Sequence, residues 1–293
     1  MNLPIDHNRP PAGDLMQLTP LVGRVLAPNP SPFTYWGTQT YVVGASDVAV
    51  IDPGPSDDAH IAALVRSIGD RPVRAIVCTH THRDHSPAAA PLAAITGAPI
   101  IGCAPLTLTD DGPRADAAFD ASYAPDRVLE DGEALTGEGW TLRALATPGH
   151  TSNHLCLALE EEKALFTGDH VMGWSTSVVS PPDGDMAAYM RSMQLLLGRD
   201  DVIYYPAHGD PVETPHRLVR GMMGHRKHRE GQIMRLIEAE SDGVAIPDMV
   251  LQMYKGVDPG LHPAAGRSVL AHLIDLQQRG LATTSSDGRW RTC

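Results

Sequence analysis

Short apolar runs separated by polar, Gly- and Pro-rich breaks dominate the first two-thirds of the chain. Residues 21–26, 40–44, 48–52, 75–78, 99–103, 140–147, 155–159, 164–167 and 202–205 each have the length and β-branched content of a strand. The runs at 40–44 and 48–52 form a hairpin around Ala45-Ser46-Asp47. Those at 155–159 and 164–167 form another across Glu160-Glu161-Glu162-Lys163. Helical spacing replaces alternation after Asp57-Asp58, where Ile61, Leu64, Val65 and Ile68 fall on one face. It recurs at 87–95, 186–197 and 216–240. Pro28, Pro30 and Pro32 enforce a stiff extended loop. Residues 1–14 read as a loose arm, and the Asp-rich stretch up to about residue 125 reads as polar loop. Strands then helices, twice over, with hairpins as well as crossovers, predict an α/β (α+β) protein whose two-sheet core is covered by helices on both outer faces.

From Ala245 the pattern changes. Residues 246–254 and 264–279 read as helices, and 281–284 and 289–291 as short strands around a Ser285-Ser286-Asp287-Gly288 turn. Helices followed by a small hairpin suggest a winged-helix-like unit. The expected division is a catalytic domain at 1–215, a connecting helix at 216–240 and the winged-helix-like domain at 241–293.

Composition narrows the class. The 293 residues are 42% apolar but only 5% aromatic, so Ala, Val, Leu and Ile must build the core. No apolar run approaches the roughly 20 residues that span a bilayer, and the polar N-terminus has no signal-peptide pattern. Cys78, Cys103, Cys156 and Cys293 lack metal or redox spacing and read as free thiols of a cytoplasmic protein. The net charge of −12 is uneven. Residues 215–293 carry 11 Lys and Arg against 8 Asp and Glu, leaving 12 against 27 in residues 1–214. An acidic body disfavours long nucleic-acid tracks.

The chemistry concentrates at Thr79-His80-Thr81-His82-Arg83-Asp84-His85-Ser86, between a buried strand and a helix. Three further strand ends deliver His150, Asp169 and His208. Five imidazoles and two carboxylates suffice for two borderline metal ions with one carboxylate bridging. His80 and His82 alternate on an extended loop and point to one ion; Asp84 and His85 suit the second. His170, next to Asp169, is a candidate proton shuttle, and Asp84 a candidate catalytic carboxylate.

His80-Thr81-His82-Arg83-Asp84-His85, followed in order by His150, Asp169 and His208, resembles the metallo-β-lactamase superfamily over roughly residues 15–215. The resemblance implies a four-layer αβ/βα sandwich. It places His80, His82 and His150 on one zinc, Asp84, His85 and His208 on the other, and Asp169 between them, with iron or manganese as alternatives. Asp52, in Val50-Ile51-Asp52-Pro53-Gly54, matches the first motif and is expected to brace the His loop. Two such ions lower the pKa of water enough to supply a hydroxide at neutral pH, so hydrolysis is the expected reaction. The Asp84-His85 pair, the bridging Asp169 and the lack of a Cys ligand speak against a β-lactamase. The short span from Asp169 to His208 speaks against branches with a large inserted domain.

Further stretches resemble the β-lactamase-like protein 2 type: Pro30-Ser31-Pro32-Phe33-Thr34, Gly37-Thr38-Gln39-Thr40-Tyr41, Thr147-Pro148-Gly149-His150-Thr151, Ala188-Tyr189-Met190-Arg191-Ser192, and His225-Arg226 with Arg229-Glu230. That type includes thioesterases releasing carrier-bound acids and a single-strand-specific endoribonuclease. The leading expectation is a dinuclear zinc hydrolase of an ester or thioester, small or carrier-bound; RNA phosphodiester hydrolysis is the alternative. Tyr35, Trp36 and Trp174 are candidate pocket walls, and His225, His228 and Arg229 a candidate anion-binding helix face. The second helix of the terminal unit carries only Arg267 and Arg279, too few for a phosphate track, so packing or formation of a homodimer is its expected role.

Overall fold

The computed structural model describes residues 10–106 and 119–293, which leaves most of the N-terminal arm and of the Asp-rich stretch outside the described residues. A seven-stranded sheet follows chain order: β1 (Leu15–Gln17), β2 (Val22–Leu26), β3 (Gln39–Val43), β4 (Val48–Ile51), β5 (Val73–Cys78), β6 (Ile100–Gly102) and β7 (Arg127–Val128). Its first four strands run antiparallel and its last four parallel. The change of direction requires crossovers. Helix α1 (Asp58–Ile68) connects β4 to β5, and α2 (Ala89–Thr96) connects β5 to β6.

The second sheet is ordered β12-β11-β10-β9-β8, from β8 (Ala134–Gly137), β9 (Trp140–Ala146), β10 (Leu155–Leu159), β11 (Ala164–Gly168) and β12 (Ile203–Pro206). Helix α3 (Met186–Leu197) crosses between the parallel β11 and β12. Asp57 and Asp185 cap α1 and α3 by accepting from the amides of His60 and Ala188, both at 2.8 Å.

Alternation along β10 decides how the layers stack. Leu155, Leu157 and Leu159 face the core between the sheets, with Phe166 of β11 and Tyr41 of β3. Cys156 and Ala158 face outward, onto Tyr189, Met193 and Leu196 of α3 and Val219 and Met222 of α4 (Pro215–Ala239). Ala63 and Leu64 of α1 and Leu92 of α2 cover the other sheet. The result is the expected helix–sheet–sheet–helix sandwich. Strands β1, β7 and β8 escaped the sequence pattern. β1 and β7 are exposed along their whole length and show no apolar alternation.

Helix α4 serves two cores. Val219 and Met222 lie on the sandwich, while Ile233 and Ile237 pack with α5 (Ile246–Met253), α6 (His262–Gln278) and the hairpin of β13 (Ala282–Thr284) and β14 (Trp290–Thr292). This terminal unit leans on the sandwich through Ala271, buried against it, and Arg267, which donates to the Pro181 carbonyl. Among the described residues, no helix is long and apolar enough to cross a membrane.

β4, β5, β9, β11 and β12 all end at one edge of the sandwich, where the loops carrying Asp52, the His cluster, His150, Asp169 and His208 begin. Two backbone bonds tie the sheets together there, Leu155 N to Thr79 O (2.9 Å) and Gln39 N to Ala207 O (2.8 Å). Gly168 allows the close approach: its φ is +48°, and a Cβ there would sit 2.7 Å from both His154 Nε2 and Thr79 Oγ1.

Candidate metal centre

The seven donors predicted from the sequence converge into two adjoining groups. His80, His82, His150 and Asp169 form one; Asp84, His85 and His208 form the other, and donor atoms within each group lie within 4.8 Å of one another. His82 Nδ1 is 3.0 Å from His80 Nε2 and 3.1 Å from His150 Nε2. Asp169 stands between the groups. Its Oδ2 is 3.9 Å from His80 Nε2 and 3.5 Å from His150 Nε2. Its Oδ1 is 3.5 Å from His85 Nε2 and 3.2 Å from His208 Nε2. Asp84 Oδ2 completes the second group, 3.4 Å from His85 Nε2 and 3.2 Å from His208 Nε2.

Four of the five imidazoles, those of His80, His85, His150 and His208, are turned by a bond to the other nitrogen. His85 Nδ1 donates to Asp52 Oδ2 (3.0 Å), which also accepts from Thr79 Oγ1 (2.8 Å), while Asp52 Oδ1 accepts from Thr79 N (2.8 Å). Thr79 Oγ1 in turn accepts from His80 Nδ1 (3.0 Å). His150 Nδ1 donates to Val178 O (2.6 Å) and His208 Nδ1 to Gly37 O (3.2 Å). Four Nε2 lone pairs are thereby aimed inward. The expected bracing role of Asp52 thus has a geometry: it fixes His85 directly and His80 through Thr79.

The electrostatics suit a cation. Burial, then the imidazoles of His85, His82 and His150, hold His80 well below the usual histidine range. Burial and His150 push His82 down to about 3. Burial opposes charge on His85, but Asp84, Asp169 and Asp52 outweigh it and raise this residue. Burial alone would raise Asp84 and Asp169; His85 and His208 outweigh it and keep both carboxylates below their ordinary range. Two buried donors of the cluster, His85 Nε2 and Asp169 Oδ1, have no hydrogen-bond partner among the described residues. Buried polar atoms are rarely left so. Neutral His80 and His82, ionised carboxylates that favour positive charge on His85, and unsatisfied donors aimed at common points fit divalent metal ions, without selecting among zinc, iron and manganese.

Residues 34–208 match the metallo-β-lactamase superfamily and residues 245–290 the β-lactamase-associated winged helix domain. The chain belongs to the metallo-β-lactamase superfamily. It is similar to an atrochrysone carboxyl ACP thioesterase of Claviceps purpurea, with 32% identity covering 84% of this chain and 76% of the relative. It is also similar to a β-lactamase-like protein 2 homolog of Drosophila melanogaster, with 30% identity covering 90% of each. A β-lactamase domain protein from Burkholderia ambifaria shares the fold, with a TM-score of 0.80 over 99% of this chain and 96% of that one, at 20% identity. The chain is therefore a hydrolase with a superfamily catalytic domain and a C-terminal winged helix.

A cavity of about 320 Å³ opens onto the donors of this hydrolase. His82, Asp84, His150, Asp169 and His208 line one side, and Pro32, Phe33, Met172, Trp174 and Val178 the other. Of the three aromatics expected at the wall, Trp174 lines the cavity. Tyr35 stacks between Trp174 (4.8 Å) and Trp36 (4.5 Å), so it and Trp36 buttress the wall from behind. Phe33 and Met172 line the cavity and carry no sequence signal beyond being apolar on loops.

Other expected residues lie elsewhere. His170 is fully buried against Tyr189 and His154, with ring centroids at 4.7 and 5.7 Å, and does not line the cavity. Burial, then His150, pushes it down to about 3. Neither of its ring nitrogens has a hydrogen-bond partner among the described residues, so no such bond links it to the donors. Arg229 is committed to the winged helix: Nη1 donates to Met253 O and Gln232 Oε1 (both 3.0 Å), and its guanidinium covers Tyr254. His225 lines a neighbouring cavity instead. Conversely, His154 Nε2 accepts from the backbone N–H of Asp169 (3.2 Å), and its Nδ1 bonds to Thr147 Oγ1 (2.9 Å). It anchors the loop that carries the carboxylate between the two donor groups. No motif spacing reveals that role.

Proposed function

We propose that this hydrolase is a dinuclear metal-dependent thioesterase that releases an acid from a small or carrier-bound thioester. The observation that carries it is the position of Asp169, with one carboxylate oxygen toward His80 and His150 and the other toward His85 and His208. His80, His82 and His150 would hold one ion, Asp84, His85 and His208 the other, with Asp169 shared. When bound, such ions supply Lewis acidity and a water-derived nucleophile at neutral pH.

The residues do the positioning. Asp52, Thr79, Val178 O and Gly37 O hold the imidazoles in the required tautomers. Asp84, kept ionised by His85 and His208, takes a hydrogen bond from Thr38 Oγ1 (3.1 Å) that limits its rotation. Pro32, Phe33, Met172 and Trp174 form an apolar wall opposite the donors, which suits an acyl chain and excludes bulk water from it. One water is consumed: its oxygen bonds to the acyl carbon, the C–S bond breaks, and the products are an acid and a thiol. The thioester preference is supported by the thioesterase relative. The division of the chain at residues 215 and 240 is supported by the two cores that share α4.

The test is thiol release from a panel of acyl thioesters by zinc-, iron- and manganese-loaded protein, beside Asp84→Ala. Release by the parent and its loss in the variant is the expected result. Cleavage of single-stranded RNA with no thioester turnover would overturn the proposal.

A further inference from the structure

A second cavity of about 330 Å³ adjoins the catalytic one, and the two share Met172, Trp174, Ser175 and Thr176 as a common wall. The far side of this groove is α4, through Leu218, Gly221, Met222 and His225. Its lining is largely apolar. Ser175, Thr176 and His225 are its polar side chains, and His225 Nδ1 is buried and without a hydrogen-bond partner among the described residues. The groove is open beside Gly221, where a Cβ would meet no heavy atom within 4 Å.

The same helix carries a charge pattern the rest of the molecule lacks. From His216 to Arg229 it has five Arg and Lys, three His and no Asp or Glu, in a chain of net charge −12. Arg217, Gly221, Gly224 and His228 fall on one stripe at helical spacing, flanked by Arg220 and Lys227, and all six are exposed. An anionic partner is repelled by most of this surface and attracted to α4.

Granting the thioesterase activity proposed above, we propose that the groove receives the phosphopantetheine arm of an acidic carrier domain, with the basic face of α4 contacting its phosphate and the carrier. The thioester carbon lies at the donors in the first cavity, and the arm leaves along the shared wall at Trp174. The slim, partly aliphatic arm fits between Met172, Leu218 and Met222, and its amides find a partner in His225. Its phosphate emerges past Gly221 onto the exposed stripe beside Arg217, where charge-assisted bonds are available, and Arg220 and Lys227, on the far flank of that stripe, face the carrier. A nucleic-acid strand fits less well. Strand binding uses successive free stacking faces, and here Trp174 is already stacked on Tyr35.

The test compares one benzoyl thioester on two carriers, N-acetylcysteamine and a phosphopantetheinylated acyl carrier protein, with the full-length metal-loaded enzyme. The carrier-bound form is the better substrate of the parent, and added salt narrows the difference. Gly221→Trp fills the groove and lowers the carrier-to-small ratio of kcat/KM about tenfold. Arg220→Glu with Lys227→Glu lowers the same ratio through KM. Gly221→Ala, which adds only a Cβ, keeps the ratio within about twofold and serves as the folding control by circular dichroism. If both thioesters are hydrolysed and neither Gly221→Trp nor the charge reversal changes the ratio, the groove has no carrier role. If Gly221→Trp abolishes cleavage of single-stranded RNA and leaves the ratio unchanged, the groove is a nucleic-acid track and the proposal is wrong. If the parent hydrolyses neither thioester, the thioesterase activity itself falls and takes the groove's role with it.

Discussion

Asp47 and Asp52 stand at the two ends of β4, both buried, and each accepts three hydrogen bonds. Asp47 takes them from Glu138 N (2.8 Å), Trp140 Nε1 (2.9 Å) and the Arg74 guanidinium. Asp52 takes them from Thr79 N, Thr79 Oγ1 and His85 Nδ1. The difference lies in what the donors do next. Those of Asp47 end in the hairpin and the Trp140 ring, so the cluster only closes one end of the sandwich. Those of Asp52 continue into His80 and His85, whose far nitrogens point at the donor cluster. Asp52 also sits at φ +49°, in the left-handed region a non-glycine residue occupies at a cost. One end of the strand is built for stability. The other accepts backbone strain and unsatisfied donors to hold a site.

That contrast breaks most readily at Asp169. Asp169→Asn should lower kcat/KM by about 10³, while urea unfolding of the metal-free protein moves little. Equal losses in both would make Asp169 a structural residue like Asp47. Asp52→Asn should weaken metal affinity about 10- to 100-fold by chelator competition, with a smaller effect on metal-free stability. At the other end, Asp47→Ala should cost about 2 kcal/mol of unfolding free energy, because it leaves Glu138 N without its acceptor and Trp140 Nε1 with only the backbone carbonyl of residue 47 (3.1 Å); kcat/KM per folded molecule should be unchanged. An activity loss there would mean that the two ends are coupled.

Acid sharpens the same contrast. Burial would raise the Asp47 carboxyl, but Arg74, Glu138 N and Trp140 outweigh it and hold it below the ordinary 3.8. Its contribution to stability is therefore fully present above about pH 4 and lost as the pH falls through the lower folded-state value. Asp47→Asn should flatten the pH dependence of urea unfolding between about pH 5 and pH 2; an unchanged slope would remove the ionised Asp47 from the account. Arg74→Ala should have the smallest effect, under about 1 kcal/mol, because the Arg74 side chain is 60% exposed.

The donors were legible because each sits where a strand ends, beside the Gly, Pro or Thr that terminates it, and because their order along the chain is distinctive. The sandwich was legible from runs such as β10, whose neighbours alternate between two cores. What could not be read depends on contacts remote in sequence. His154 supports the Asp169 amide across a hairpin, and nothing around position 154 marks it. Arg229 looked free to bind an anion until α5 placed the Met253 carbonyl on it. His170 looked catalytic from its place beside Asp169, but the backbone turns its ring away from the cavity, toward Tyr189.

Metal content tests the central claim most directly. Elemental analysis of the purified protein after zinc loading and removal of excess should give about two ions per chain, with about one in His208→Ala, which loses a donor from a single group. A well-folded parent that retains one ion or none, however much zinc is supplied, would contradict the two-metal site on which the proposed chemistry rests.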